Sequence, residues 1–287
     1  MNLVEYLARA TEYLERHAIA SPRLNAEVLL ANMLGTSRLE IYTQFERQLT
    51  TAQADAYRDL IVQRGTGRPL QYITGETGFR GLTLEVAEGV FIPRPETEFL
   101  VEKALERAPL GPGPGGALRV LDIGTGCGCI AVSVASEVER ASVVATDCDP
   151  GAVGLCEANA ARAGVGERVT VLAGDIYGAL GEADEFDLII SNPPYIPSGE
   201  RESLPPEVKD YEPETALFAG PEGLDVIRRI IEGAPGHLAP GGFLVLEVDE
   251  THAHVVAGIL SAAGWSEVEV FDDLASKPRV VRAERVD

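Results

Sequence analysis

Four short segments of this 287-residue chain combine residue types and spacings that could do chemistry. Val120-Leu-Asp-Ile-Gly-Thr-Gly-Cys-Gly128 reads as a strand running into a glycine turn and then a helix. Glycines at Gly124, Gly126 and Gly128 allow close approach of backbone to a ligand and conformations that side chains forbid. A dinucleotide fingerprint would carry its third glycine where Cys129 stands, so the pattern is G-x-G-x-G instead. Asp122, just before the turn, would repel a pyrophosphate but attract the cationic amino-acid end of S-adenosylmethionine. Thr125 and Cys127 complete that loop. Asp147 ends the next strand-like run, where a carboxylate accepts hydrogen bonds from ribose hydroxyls. Asp175-Ile176 ends the third, where an adenine ring would lie. Singly, Asp147 and Asp175 could be ordinary loop or helix-cap carboxylates. At three successive strand ends they point together to the methyl donor.

The fourth segment is Asn192-Pro193-Pro194-Tyr195. Two prolines stiffen it and remove two backbone donors, leaving carbonyl acceptors. A planar NH2 group has two hydrogens, and the Asn192 side-chain oxygen and the Pro193 carbonyl could accept one each. Tyr195 could stack on the planar group and exclude water. An amide nitrogen is a poor nucleophile, so orienting it towards an activated methyl group is the main task. No metal and no covalent intermediate is required.

These segments need a scaffold that brings strand ends together. From Val120 onward, strand-like runs (120–123, 142–146, 169–172, 186–191, 243–247) alternate with helical ones (129–137, 150–163, 222–231). The alternation predicts an α/β, doubly wound, Rossmann-like sheet, mostly parallel, with helices on both faces. The runs 268–271 and 279–282 suit an antiparallel closing pair. The fourth strand should lie beside the first, so that Asn192–Tyr195 faces the glycine turn.

The first seventy or so residues read as a small helical bundle. Leu3, Leu7, Ala10 and Leu14 share a face, Ser21-Pro22 supplies an N-cap and first-turn proline, and Thr50 with Gln53 has capping-box spacing. Alternation at Leu82, Leu84 and Val86, a turn at Glu88-Gly89 and a return through Val90 and Ile92 predict a hairpin. A helix from Glu96 to about Ala108 and a turn-rich connection, 111–116, follow. The expected divisions are therefore residues 1–74, a helical domain; 75–116, hairpin, helix and connection; and 117–287, the catalytic domain.

The charge of −21 disfavours broad binding to phosphate backbones, and no apolar run reaches membrane-spanning or signal-peptide length. No membrane association, no stable nucleic-acid binding and a cytoplasmic location are the expectations. Cys127, Cys129, Cys148 and Cys156 lack the paired spacing of a zinc ribbon and have no nearby histidine, so they are expected to be reduced and structural, with no metal.

With these motifs in view, the chain resembles the release-factor glutamine methyltransferases over nearly its whole length. The resemblance rests on 63–72, Phe91-Ile-Pro-Arg-Pro-Glu-Thr-Glu98, Asp122–Gly128, Asn192–Tyr195 and Tyr211-Glu-Pro-Glu-Thr-Ala-Leu217. It implies methylation of the glutamine in the Gly-Gly-Gln tip of a peptide chain release factor. By position, Gly124–Gly128, Asp147 and Asn192 would contact the cofactor and Asn192–Tyr195 the glutamine, with Phe91 and Arg94 near the cofactor pocket. The sequence departs from the family pattern at Ile176, where tryptophan is frequent, at Glu247-Val-Asp-Glu-Thr-His252, and at Ser276-Lys-Pro-Arg279. Two other readings stand beside it. An amino-group methyltransferase acting on nucleic acid would need a basic groove, and a silent binding module would not need Asn192 and the glycine turn intact.

Overall fold

Asn2, Ser37 and Thr50 start helices by the same device. Each accepts the backbone N–H three residues on, and the Glu5, Glu40 or Gln53 side chain there returns to the N–H of the cap. The structure, a computed structural model, describes residues 1–44, 46–107 and 116–286. Its first unit spans Met1–Glu76 and Leu204–Tyr211. It holds α1 (Leu3–Arg16), α2 (Pro22–Leu34), α3 (Arg38–Thr43), α4 (Thr51–Gly65) and α5 (Leu70–Thr74).

Leu3, Ala10, Leu14, Leu29, Leu30 and Tyr57 make the core of this unit. Ser21 does occupy the N-cap position of α2 with Pro22 behind it, but its φ of 48° is left-handed and its side chain makes no capping bond. The short helices α3 and α5 were not expected, being too brief to show a period. Buried Arg64 ties this unit together: it donates to Asn25 Oδ1 at 2.7 Å, to the Arg68 carbonyl at 2.9 Å and to Glu207 at 2.7 Å.

The second unit, Thr77–Ser203 with Glu212–Asp287, is built on a sheet. Ahead of it, β1 (Glu76–Phe79) and β2 (Leu82–Glu85) form a two-stranded sheet. The hairpin turn is at Arg80-Gly81, both left-handed; Glu88-Gly89 does turn the chain, with the Val90 N–H donating to the Ala87 carbonyl at 3.2 Å, but no strand returns after it. A two-residue turn of this kind matches the twist of the strands, whereas Val90 and Ile92 are buried as loop residues. Next come α6 (Pro95–Glu106), β3 (Leu118–Ile123), α7 (Cys129–Glu137), β4 (Ala141–Asp147), α8 (Pro150–Arg162), β5 (Val169–Ala173) and β6 (Phe186–Ser191). The expected end of α6 at Ala108 and most of the 111–116 connection fall outside the described residues. The short α9 (Pro206–Lys209), which belongs to the first unit, and α10 (Glu214–Leu217) precede α11 (Asp225–Gly233), β7 (Leu238–Glu247), α12 (Ala253–Ala262), β8 (Ser266–Asp272) and β9 (Pro278–Glu284).

Strand order is β5-β4-β3-β6-β7-β9-β8, with β3 to β7 parallel and β9 antiparallel to both β7 and β8. This is the predicted doubly wound sheet with its closing pair. Two apolar cores cover its faces, one including Leu118, Val120, Ile130 and Val143, the other Leu121, Ile189, Ile227 and Leu246. β3 and β6 lie side by side, with Ile123 opposite Ser191, so the topology reverses at their carboxyl ends. That is where such sheets bind ligands.

Candidate active site

Asp122 is fully buried at the end of β3. Its Oδ2 accepts the Thr125 hydroxyl at 2.6 Å and the Ala131 N–H at 3.1 Å, so it clamps the glycine turn to the start of α7. Its Oδ1 is buried with no hydrogen-bond partner. Burial pushes the carboxyl up to about 7, against the Thr125 and Ala131 bonds that favour the charge. A cation beside Oδ1 would relieve that cost.

Gly124, Gly126 and Gly128 all have positive φ, at 71°, 56° and 84°. A Cβ on Gly128 would lie 2.7 Å from Cys156 Sγ, whereas one on Gly124 would meet nothing within 4 Å. Gly128 is therefore a packing glycine, and the side of the turn at Gly124 stays open. The N–H groups of Gly124 and Thr125 donate to the Thr146 carbonyl at 2.8 and 3.0 Å, which fastens the turn to β4. Asp147 accepts the Gly126 N–H at 2.9 Å on one oxygen and the Asp149 N–H at 2.9 Å on the other. Burial raises its pKa, and each oxygen keeps a further lone pair for a hydroxyl. Cys127, Cys129 and Cys156 are buried free thiols and Cys148 is exposed.

Asp175 is exposed and paired with Arg229 at 2.6 Å. Ile176 beside it is buried at φ 55°, a costly conformation for a β-branched residue, and its carbonyl accepts the Thr146 hydroxyl at 3.2 Å. Strain of this kind marks a place where the surroundings dictate the backbone. The loop before α6 carries Phe91 and Arg94. The Arg94 guanidinium lies 4.9 Å from the centre of the Phe91 ring and pairs with buried Glu212. Arg94 thereby links two segments that carry the family resemblance.

Asn192-Pro193-Pro194-Tyr195 begins where β6 ends. Ser191 Oγ donates to the Ile123 carbonyl at 2.7 Å, so the segment starts beside the glycine turn. Asn192 Nδ2 donates to Thr97 Oγ1 at 3.0 Å, and the Tyr195 hydroxyl donates to Glu247 Oε1 at 3.5 Å. Burial raises the Tyr195 pKa, so the phenol stays protonated. Downstream, Ile196 and Phe218 form a bridge that anchors the chain leaving Tyr195.

Three residues here gained no role from sequence. Thr97 and Glu247 bind the two ends of the Asn192–Tyr195 segment, and Gly223 packs against it, its absent Cβ point 2.2 Å from the Tyr195 carbonyl oxygen. Each had a signal. Thr97 shares a helical stripe with Leu100, Val101 and Ala104, and Glu247 closes the apolar run 243–246. Gly223 follows Gly220 and Pro221, a turn-forming pair.

A parallel sheet with an antiparallel closing pair, a glycine turn after β3 and an acceptor-rich segment after β6 define an S-adenosylmethionine-dependent methyltransferase. Asp122 Oδ1, the open side at Gly124 and the spare lone pairs of Asp147 fit that cofactor's cation and hydroxyls. A methyltransferase from Pyrococcus furiosus has the same fold, with a TM-score of 0.53, 20% identity, and coverage of 72% of this chain and 91% of that one. Residues 5–75 match the family described as PrmC N-terminal domain, and residues 96–204 the methyltransferase small domain. The release factor glutamine methyltransferase of Geobacter sulfurreducens is 42% identical over 94% of this chain and 92% of its own length. That of Koribacter versatilis is 40% identical over 98% of each. This chain belongs to the release factor glutamine methyltransferase family.

Proposed function

We propose that this chain transfers the methyl group of S-adenosylmethionine to the side-chain nitrogen of the glutamine in the Gly-Gly-Gln motif of a peptide chain release factor. The observation that carries the proposal is the pairing of Ile123 with Ser191, which sets Asn192 beside the turn at Gly124. Donor site and acceptor site are then neighbours at the carboxyl ends of adjacent strands. When bound, the cofactor supplies a methyl group activated by positive sulfur.

The residues of the chain do the rest. Asp122, Gly124, Thr125, Gly126, Cys127 and Gly128 hold the amino-acid end of the cofactor, Asp147 its ribose, and Asp175 with Ile176 its adenine. Phe91 and Arg94 border the same pocket, with Asn192 between the two ligands. Asn192 Oδ1 and the Pro193 carbonyl accept the two N–H bonds of the substrate amide, and Pro194 stiffens the segment. Tyr195 covers the planar group and keeps water away. The bound cofactor would give its methyl group to the nitrogen and keep the electron pair of the bond it gives up. One N–H proton leaves to solvent. Residues 1–74 dock the body of the release factor, and the acidic surface keeps nucleic acid away.

The test is label transfer from S-adenosylmethionine to a release factor, run beside a factor whose Gly-Gly-Gln glutamine is replaced. Label should enter only the unmodified factor. Equal labelling of both would reject the target, and no labelling despite cofactor binding would reject the substrate.

A further inference from the structure

Thr97 lies in the first turn of α6 on the buried stripe with Leu100, Val101 and Ala104, and is 1% exposed. A hydroxyl buried this deeply needs partners for both its proton and its lone pairs. It accepts Asn192 Nδ2 at 3.0 Å. Glu247, itself 1% exposed, receives the Tyr195 hydroxyl. Two buried side chains thus hold the two ends of Asn192–Tyr195: Thr97 the Asn192 amide, Glu247 the Tyr195 hydroxyl.

The direction of these bonds matters. An asparagine amide has nearly the same shape in its two flips, but one end donates and the other accepts. A substrate NH2 group offers only hydrogens, so Nδ2 facing it would set donor against donor. Thr97 Oγ1 accepts Asn192 Nδ2, which draws that end in and leaves Oδ1 for the substrate. Burial, the larger effect, and Glu96 in the first turn of α6 oppose a charge on Glu247, while Arg279 on β9 favours it.

We propose that Thr97 and Glu247 are positioning residues for methyl transfer: Thr97 holds Asn192 Nδ2, so that Asn192 Oδ1 is presented to the substrate amide, and Glu247 holds the Tyr195 hydroxyl. This rests on the role given to Asn192 above. Neither residue touches the reacting atoms.

The full-length chain and its Thr97→Val, Thr97→Ser and Thr97→Cys variants are compared for transfer of labelled methyl to a release factor, with cofactor affinity measured separately. Valine keeps the shape without the acceptor, serine keeps the acceptor, and cysteine keeps the volume with a weak one. We expect kcat to fall about tenfold or more in Thr97→Val, with cofactor affinity within about twofold of the parent. Thr97→Ser should return to within about threefold of it, and Thr97→Cys should stay slow. A fast Thr97→Val, or Thr97→Ser as slow as Thr97→Val, overturns the proposal. Where Thr97→Val loses the fold, Thr97→Cys decides, because parental turnover in that variant also overturns it. Failure of the proposed function looks different, since the unaltered chain then transfers no label.

Discussion

At the residue scale, two carboxylates carry most of the electrostatic tension. Asp122 and Glu247 are both fully buried, and burial pushes both up to about 7. Unfolded, they titrate near ~4. Between those limits the folded chain holds protons that the unfolded chain has lost, so without cofactor these groups cost stability as pH rises from about 4 to about 7. Asp249 and Asp273, held low, act the opposite way only as pH falls below about 4. Asp122→Asn removes one of the two costs. Melting of the cofactor-free variant should exceed that of the parent by about 2–4 °C more at pH 7.5 than at pH 5. An equal difference at both values would mean that Asp122 is ionised throughout. At this scale the sequence was informative about identities and silent about partners. Asn192 and Asp122 stand out by motif, but the bonds from Thr97 and Glu247 join residues 95 and 52 positions away from their partners. Neither spacing is periodic.

At the scale of elements, the strands and helices of the sheet were legible because alternating apolar runs must be buried on both faces. The switch point followed from strand order alone. The hairpin was misplaced because Glu88-Gly89 and Arg80-Gly81 are both credible turns, and only strand pairing chooses between them. The start of α11 was read three residues early, at Glu222 instead of Asp225. Gly220 to Gly223 forms a turn there, with φ of 78° at Gly220 and 71° at Gly223. Gly223 serves Tyr195 directly. Gly223→Ala adds left-handed strain of about 1–2 kcal/mol. It also forces its Cβ against the Tyr195 carbonyl oxygen, which has to retreat by about 1 Å; displacement on that scale lowers turnover roughly 100-fold. Calorimetry and steady-state rates together test this. Parental turnover would show that the position of Tyr195 is not critical.

At the scale of the whole molecule, the chain forms two units, each with its own core, the first running from Met1 to Glu76 and taking in Leu204–Tyr211. The second stretch of the first unit, Leu204–Tyr211, was invisible in the sequence, because an insertion returning to an earlier unit leaves no local pattern. Its tie is Arg64 to Glu207. The charge of −21 is a property of the molecule as a whole. It predicts passage through heparin at low salt and retention on an anion exchanger. Firm retention on heparin would reveal a basic patch and reopen nucleic acid as a substrate. No helix among the described residues is long and apolar enough to cross a membrane.

All three scales meet in the aim of one amide nitrogen. Tandem mass spectrometry of the Gly-Gly-Gln peptide, after incubation of a release factor with the chain and S-adenosylmethionine, tests that aim most directly. The expected spectrum places a single methyl group on the glutamine side-chain nitrogen. With the Asn192→Ala variant, still folded, it should form about 100-fold more slowly. A methyl group on any other atom, or an unchanged rate in the variant, would contradict the assignment of Asn192 and the segment it begins.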